Sequence, residues 1–441
     1  MTTADRLDAE SLDTDRAGSD RARLFALDPE VGRCPYRVFQ DLREQPGLSF
    51  DETLGAYPVA RYDDIVGVLE DSETFCSADH AGPQLSRAVA SFGRFLTPRQ
   101  LADLITPFEL ATVDGEHHRR LRGMTDGIFT SNAVRGWEPI IRSTCRDLIA
   151  GFRDRAGAAV EAVDAYAQPA SVLSFVRILG LPPADLPMIM GWLRDMFTYL
   201  NEAHITREVV DRYADTSGEV IAYFREKNAA LRAYPDTAVL SRLVHAERDG
   251  DHLTDREVAS LCLGMLAGTS GTTANVVASA AWRLAEEPEL AAELRTAPPA
   301  RLAAFAHEMI RLYAPVQGTF RTTTRPVTLA GTDLPAGAYV FVLYGSGSRD
   351  GAAFPRPDET DLERPPGRRH LSMGHGAHRC LGGTLGPAQV RVAIEELLAN
   401  FPDITPADPG IRPDFQPNLI NPGITGLNLL LRTQIPEGVA T

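Results

Sequence analysis

A glycine-rich loop with one cysteine, directly before a helical pattern, constrains this chain more than any other segment. The loop spans residues 373–382, Cys380 lies near its end, and the helical pattern follows over 383–400. Its glycines, before and after the cysteine, allow positive backbone angles and close contact with a flat group. A thiolate at Cys380 would lie at a helix N-terminus, where free N–H groups stabilise negative charge. The loop therefore predicts either an iron-binding thiolate or a buried, inert cysteine beside a tight turn.

The longest helical pattern begins at Thr254 and ends before Pro288, and Thr254 and Glu257 have the spacing of a capping box. At ~1.5 Å per residue this helix would be about 50 Å long, enough to cross a domain of this size. Its middle, residues 267–273, contains two glycines and four hydroxyl side chains. Glycine weakens a helix, and hydroxyl groups can bond back to carbonyls and bend it. This segment predicts a kink that faces a cofactor or substrate; the alternative is a close helix–helix contact at the glycines.

Composition restricts the class of protein. The 441 residues are 44% hydrophobic and 23% charged, which is typical of a globular protein with a large core. The polar residues 1–20 predict a disordered tail, and the absence of a linker predicts one domain over 21–441. A net charge of −15 argues against nucleic acid as a partner. We found no stretch suited to spanning a bilayer and expect no membrane contact. The five scattered cysteines lack zinc-type spacing, which favours a reducing cytoplasm.

Helical patterns dominate before residue 320, and short strands follow it. Besides the central helix, the pattern predicts helices over 35–45, 62–69, 116–128, 135–155, 168–180, 184–231 with a break near 201–206, and 302–313. Strands are predicted over 327–329 and 339–343. Residues 77–112 predict a long loop with a short helix, and long loops inside domains are often functional.

These motifs agree in order and spacing with one family. The chain resembles a soluble bacterial cytochrome P450, a haem-thiolate monooxygenase, from about Pro35 to Leu431. The cysteine loop is similar to the family's Phe-Gly-x-Gly-x-His-x-Cys-x-Gly signature, with Met373 in place of Phe. The resemblance implies a mainly α fold with small β-sheets. It also places haem between the long central helix and the helix of the cysteine loop.

The resemblance also implies a buried ion network and the cofactor contacts. Glu308 and Arg311 match the family's Glu-x-x-Arg pair, and Arg364 matches the arginine that completes the network. Cys380 would be the axial ligand of haem b, because cysteine thiolate on haem iron favours O–O cleavage. The loop residues around it would be Met373, Gly374, His378 and Gly382. The haem propionates need cationic partners when buried, and the family supplies them at His118, Arg122, Arg321 and His370.

The central helix departs from the family pattern Ala/Gly-Gly-x-Asp/Glu-Thr. The register that we prefer puts Gly268 first, Gly271 at the acid and Thr272 at the alcohol. The other register puts Ser270 at the acid and Gly271 at the alcohol, so the acid that normally relays protons is missing in both. Three explanations stay open. Ser270, Thr269 or water completes the relay; the substrate supplies a polar group; or the enzyme uses peroxide or oxidises without inserting oxygen.

The implied function is insertion of one oxygen atom from O2 into an apolar small molecule, in bacterial secondary metabolism. Electrons would come from a separate ferredoxin and ferredoxin reductase, with Arg120 and Arg379 on the docking face. One alternative is a peroxide-driven, coupling or desaturating haem-thiolate oxidase. A non-catalytic haem-binding or ligand-binding protein is the other alternative.

The resemblance also predicts the walls of the substrate pocket, at residues 80–107, 198–206, 264–272 and 316–319. Apolar side chains in these segments predict a mainly apolar cavity; they are Phe92, Phe95, Leu96, Leu104, Ile105, Met265, Leu266 and Val316. The two glycines of the central helix would leave extra room above the iron.

Overall fold

The computed structural model describes residues 18–153, 158–197, 205–364 and 368–433. These residues form a mainly helical protein with small sheets, which confirms the predicted fold class. Residues 1–17 of the predicted tail lie outside the described part, and residues 18–20 begin the first helix.

The helices, in chain order, are α1 (18–25), α2 (Pro29–Gly32), α3 (Tyr36–Glu44), α4 (Tyr62–Glu70), α5 (Pro83–Ser91), α6 (Pro98–Asp103), α7 (Glu109–Thr112), α8 (Gly115–Thr125), α9 (Ser131–Arg153), α10 (Gln168–Leu179), α11 (Leu186–Phe197), α12 (Arg207–Ala233), α13 (Val239–Val244), α14 (Asp255–Ser270), α15 (Thr272–Glu286), α16 (Pro288–Thr296), α17 (Pro299–Tyr313), α18 (Tyr344–Gly347) and α19 (Leu385–Asn400).

The strands are β1 (Tyr57–Val59), β2 (Phe75–Cys76), β3 (Ala159–Glu161), β4 (Glu247–Arg248), β5 (Asp251–His252), β6 (Thr319–Thr323), β7 (Val327–Leu329), β8 (Thr332–Leu334), β9 (Tyr339–Val342), β10 (Asp403–Pro406), β11 (Asp414–Gln416), β12 (Gly423–Gly426) and β13 (Asn428–Arg432). The largest sheet has the order β1-β9-β6-β2, with β1 parallel to β9 and the other pairs antiparallel. A second sheet has the order β10-β13-β3, and three two-stranded hairpins complete the strands of the described residues.

The segment 77–112 is more helical than we predicted. It contains α5, α6 and α7, where the sequence pattern predicted a long loop with a short helix. A capping box at Thr97 and Gln100 begins α6, with both of its hydrogen bonds formed. Short helices with strong caps are easily missed by a periodicity argument, because too few residues are available to show a period of 3.6.

The central helix has the predicted cap and the predicted interruption. The Glu257 carboxylate accepts from the Thr254 N–H at 2.8 Å, and the Glu257 N–H donates to the Thr254 hydroxyl at 3.2 Å. The helix breaks at Gly271, which separates α14 from α15. On either side of the break, the Ser270 hydroxyl donates to the Ala267 carbonyl at 3.0 Å, and the Thr272 hydroxyl donates to the Gly268 carbonyl. Bonds of this kind compete with the helix ladder and bend the helix.

The expectation that no stretch of the chain is suited to spanning a bilayer was wrong. Residues Asp255–Glu286 are long and apolar enough, by length and composition, to cross a membrane. In the structure, half of the most apolar 18-residue stretch of this helix is buried inside the protein. Most of the buried apolar side chains of α14 and α15 belong to the largest hydrophobic cluster of the described residues, as in the core helix of a globular protein.

The predicted ion network is buried between α17 and the irregular segment after α18. The Glu308 carboxylate accepts from Arg311 Nε and Nη2, both at 2.8 Å, and from Arg364 Nε at 3.2 Å. The N–H of Asp361 donates to the same carboxylate at 3.1 Å. Burial opposes the charge on Glu308, but these partners lower the pKa of the carboxyl group below its ordinary value.

The network continues to the cysteine loop. Arg311 Nη1 donates to the Ser348 carbonyl at 3.0 Å, and the Ser348 hydroxyl accepts from the N–H of Leu371 at 3.0 Å. The Leu371 carbonyl in turn accepts from the N–H of Gly374 at 2.8 Å. The charge cluster therefore supports the loop through a chain of hydrogen bonds.

Glu308→Ala should destabilise the protein by about 3–5 kcal/mol, because it leaves the buried guanidinium group of Arg311 and the partly buried one of Arg364 without their carboxylate. Denaturant unfolding would measure this loss. Glu363→Ala is the matched control, since the Glu363 side chain is 84% exposed, and it should change stability by at most roughly 0.5 kcal/mol. Equal effects of the two substitutions would contradict a structural role for the network.

The stability gap between wild type and Glu308→Gln should also depend on pH. Folding lowers the pKa of Glu308. The Glu308 carboxylate therefore contributes fully to the free energy of unfolding above its unfolded-state pKa of roughly 4.3, and this contribution is lost as pH falls through the lowered pKa of the folded state. Unfolding curves at several acidic pH values would test this. A gap that widened toward low pH would have the wrong sign.

Candidate active site

A cavity of about 260 Å³ lies between the central helix and the cysteine loop. One wall is a single face of the central helix, whose cavity-lining residues follow a spacing of three and four: Ser260, Leu261, Gly264, Met265, Gly268, Thr269, Thr272 and Thr273. The opposite wall contains Met373, Cys380, Gly382 and the start of α19. The cavity therefore lies where the family resemblance places haem.

The cysteine loop is shaped by two glycines with positive φ. Gly374 has φ 67° and Gly376 has φ 65°, as expected. A Cβ at Gly376 would lie 2.3 Å from the Leu69 carbonyl oxygen, so only glycine fits against α4 there. Gly382 does not have a positive φ, contrary to our expectation. A Cβ at Gly382 would lie 3.7 Å from the Cys380 sulfur, which is an ordinary van der Waals contact, so this contact does not require glycine.

Cys380 reaches the cavity from the loop and not from the first turn of a helix. Its N–H donates to the Met373 carbonyl at 2.8 Å, and α19 begins at Leu385, two residues later than the sequence pattern predicted. The Cys380 side chain is accessible, and the access is through the cavity that it lines. Burial raises the pKa of the Cys380 thiol, whereas the N–H of Gly382 and the nearby arginines oppose this rise. The N–H of Gly382 thus favours the Cys380 thiolate, which is the role that we assigned to the N-terminus of the following helix.

Two histidine rings and an arginine form one edge of the cavity. The rings of His118 and His378 lie 4.2 Å apart between centroids, and Arg122 lines the cavity beside them. Arg122 Nη1 donates to the Arg379 carbonyl at 3.0 Å, which joins α8 to the cysteine loop. His378 Nε2 lies 2.8 Å from Asp114 Oδ1. Asp114 also accepts from the N–H of Ser77 at 2.6 Å, and the sequence analysis did not identify this support of His378.

Buried imidazole nitrogens without partners identify where a polar group is needed. Among the described residues, nine buried side-chain nitrogen or oxygen atoms have no hydrogen-bond partner. Three are imidazole nitrogens, and all three belong to predicted cofactor residues: His118 Nε2, His370 Nδ1 and His378 Nδ1. A buried polar atom without a partner is costly, so these atoms fit an acidic group such as a haem propionate.

His370 and Arg321 lie outside the residues that line the cavity. Burial lowers the pKa of His370 to about 3, with the charges of His307 and Arg311 adding to the effect. Arg321 is buried, and its Nη1 donates to the Phe320 carbonyl at 2.7 Å and to the Thr319 hydroxyl at 3.1 Å. The structure thus brings His118, Arg122 and His378 together at the cavity and keeps His370 and Arg321 outside its wall.

The central helix separates its four candidate catalytic residues into two pairs. Gly268 and Thr272 line the cavity, whereas Ser270 and Gly271 do not. A Cβ at Gly268 would meet nothing within 4 Å, but one at Gly271 would lie 2.8 Å from the side-chain nitrogen of Asn421. Only Gly268 therefore leaves room in the cavity, and Gly271 makes a close contact with the loop before β12.

Two further hydroxyl groups, those of Thr269 and Thr273, belong to residues on the cavity face. We named Thr269 only as an alternative, and we did not predict Thr273. The spacing of three and four from Met265 could have identified both residues, since it selects 268, 269, 272 and 273 and excludes 270 and 271.

The predicted pocket walls need correction on the loop side. Residues 107–111 line the cavity, whereas Phe92, Leu96, Ile105 and Leu266 are buried in the core. Phe95 and Leu104 pack against that core, and Val316 packs against a second hydrophobic cluster. Of the eight predicted apolar residues, Met265 alone lines the cavity among the described positions. Residues 198–204 of the predicted wall lie outside the described residues.

Comparison with known proteins agrees with this site. The family model described as Cytochrome P450 matches residues 301–422. The chain is 31% identical over 406 residues to cyclomarin C epoxidase CymV of Salinispora arenicola, covering 92% of this chain and 96% of that protein. It is 32% identical over 360 residues to erythromycin C-12 hydroxylase of Saccharopolyspora erythraea, covering 81% and 84%. The structure of cytochrome P450 CYP109Q5 from Chondromyces apiculatus matches with a TM-score of 0.77 at 27% identity, covering 92% of this chain and 97% of that one.

The fold and the cavity define a haem-thiolate protein. The chain belongs to the cytochrome P450 family. It is a bacterial P450 monooxygenase with haem b as its cofactor, as the resemblance implied, and its named relatives act in bacterial secondary metabolism.

Two glycines of the cavity wall should respond oppositely to alanine. Gly268→Ala should leave stability unchanged or raise it by up to about 1 kcal/mol, because the site is open and alanine favours the helix. Gly264→Ala should destabilise, because its Cβ would lie 1.9 Å from the Pro107 carbonyl oxygen. Thermal unfolding would compare them, and a Gly268→Ala variant less stable than Gly264→Ala would contradict this assignment.

Proposed function

We propose that this protein inserts one oxygen atom from O2 into an apolar small molecule, and that the Cys380 thiolate would hold its haem iron. The observation that carries the proposal is the position of the Cys380 sulfur across one cavity from the Thr272 face of the central helix. The named relatives support insertion of oxygen, since one is an epoxidase and another a hydroxylase. Their names favour this reaction over coupling, over desaturation and over a non-catalytic role.

Bound haem supplies the iron at which oxygen is activated, and a thiolate ligand favours O–O cleavage. The residues of this chain hold and orient the group. His118, Arg122 and His378 are suited to bind propionates at the cavity edge, because two of them have imidazole nitrogens without partners. Gly374 and Met373 shape the loop, and the N–H of Gly382 favours the thiolate form of Cys380. His370 and Arg321 would add positive charge or hydrogen bonds from behind the wall.

We propose that Thr272 is the main hydroxyl group of the proton relay. It donates its proton to the Gly268 carbonyl, so its oxygen lone pairs remain free to accept a hydrogen bond. Thr269 and Thr273 lie on the same face of the helix and can extend the relay, whereas Ser270 bonds to the Ala267 carbonyl away from that face. This arrangement favours a hydroxyl relay completed by water or by the substrate over the absence of a relay.

The electron donors in this proposal are a separate ferredoxin and its reductase in the cytoplasm. Arg379 is exposed beside Cys380 and suits a docking face for an acidic protein. Arg120 does not suit that role as well as we expected. It donates to Asp251 and Glu257 at 2.5 Å, so its charge is neutralised within the protein.

The first test is the spectrum of the reduced protein with carbon monoxide. The purified protein should show the Soret band of a thiolate-bound haem, and Cys380→Ser should lose it because the thiolate is gone. Cys34→Ser is the matched control, since Cys34 is an exposed free cysteine, and it should keep the band. Retention of the thiolate band in Cys380→Ser would contradict the assignment of the ligand.

Thr272→Ala should lower the fraction of consumed electrons that reach product. One lost relay group in general acid catalysis typically costs about 10²–10⁴-fold in rate, and a bypass would convert the loss into peroxide release. Ser270→Ala should leave the fraction unchanged, since Ser270 does not line the cavity. Product and peroxide would be measured per electron consumed, with a substrate identified by Soret titration. Equal loss in both variants would remove Thr272 from the relay.

A further inference from the structure

The cavity has one carboxylate on its wall among the described residues, that of Glu109 at the start of α7. Glu109 contributes to none of the cofactor contacts or relay steps above. Its side chain is 11% exposed, so the acid is largely enclosed. An enclosed carboxylate requires a hydrogen-bond donor, because burying a charge without a partner is costly.

The contacts of Glu109 leave one of its oxygens available. Oε1 lies 3.0 Å from His117 Nε2, and the guanidinium group of Arg256 is 4.0 Å from the same oxygen. Arg256 also donates to the Leu104 carbonyl at 3.3 Å, so it is shared between two acceptors. The hydrogen bond and the ion pair that Glu109 forms with described residues both involve Oε1. The carboxylate is thus held in place by α8 and α14 through Oε1, with Oε2 still able to accept.

An apolar molecule that fills the cavity would displace water from Oε2 without supplying another hydrogen-bond donor. The cost of such an unsatisfied charged acceptor exceeds that of a neutral one, whereas a charged donor forms a bond about twice as strong as a neutral pair. The protein also has a net charge of −15, which favours the approach of cations. A substrate with a positively charged hydrogen-bond donor would therefore bind more tightly than a neutral substrate of similar size.

We propose that Glu109 pairs with a protonated amine of the substrate and selects, among apolar molecules of similar size, those with a basic nitrogen. This inference rests on the proposed function, since it assigns haem to the part of the cavity beside Cys380 and the substrate to the part between the central helix and residues 107–111. It makes Glu109 a specificity residue that orients the substrate through its amine. The carbon to be oxidised then lies at another part of the molecule, toward Cys380.

The test compares two probes of equal length, decylamine and decanol, on the purified ferric holoenzyme. Binding is followed by calorimetry and by the Soret band. The wild type should bind decylamine about 10-fold or more tightly than decanol, as expected for a hydrogen bond to a charged group. Glu109→Gln keeps the shape and removes the charge, and it should bring the two affinities within about 3-fold. The preference of the wild type should also weaken as salt is added.

Glu116→Gln is the matched control. Glu116 is exposed on α8, so this substitution removes one negative charge at a site away from the cavity. It should keep the wild-type preference, and Glu109→Asp should keep part of it. Equal binding of both probes by the wild type would overturn the inference, and so would a preference unchanged in Glu109→Gln. A Soret shift that shows the amine nitrogen on the iron would also overturn it. These results leave the carbon monoxide spectrum intact, whereas loss of the thiolate band would contradict the proposed function itself.

Discussion

The buried carboxylate of Glu308 is the interaction on which the geometry of the site depends. It holds Arg311 and Arg364, and Arg311 continues through Ser348 to the segment before the cysteine loop. Buried ion clusters contribute little net stability compared with an apolar core, but removing one member strands the others. Such a cluster is therefore suited to fixing one arrangement of the chain. Here it fixes an irregular segment that has little regular secondary structure of its own.

The central helix supplies the other wall by a different physical device. Its period brings glycine and hydroxyl residues to one face, and on either side of the interruption at Gly271 the hydroxyl groups of Ser270 and Thr272 bond back to helix carbonyls. The acid that the family uses at this position is absent. Elements from other parts of the chain complete the cavity, and they include α7 with the loop before it, α8, α10, the cysteine loop and α19. Glu109 enters the cavity from this loop side, where the sequence showed no familiar motif.

Prediction from the sequence was most accurate where a local rule governs the backbone. The capping box at Thr254, the interruption in the middle of the central helix and the positive φ of Gly374 and Gly376 all depend on neighbouring residues. It was least accurate over residues 77–112, where short helices lack a visible period and bury side chains that we assigned to the pocket. The role of Gly271 was also not readable, because its neighbour Asn421 is 150 positions away in the chain.

The sequence by itself determined the family, the cofactor, the cysteine loop and the absence of an acid beside Thr272, because each of these depends on residue types at fixed spacing. Tertiary structure alone decided which hydroxyl groups meet the cavity and that Arg120 is neutralised by Asp251 and Glu257. It also decided that Glu109 lines the same cavity as Cys380. These facts depend on contacts between segments far apart in the chain, and no local pattern encodes them.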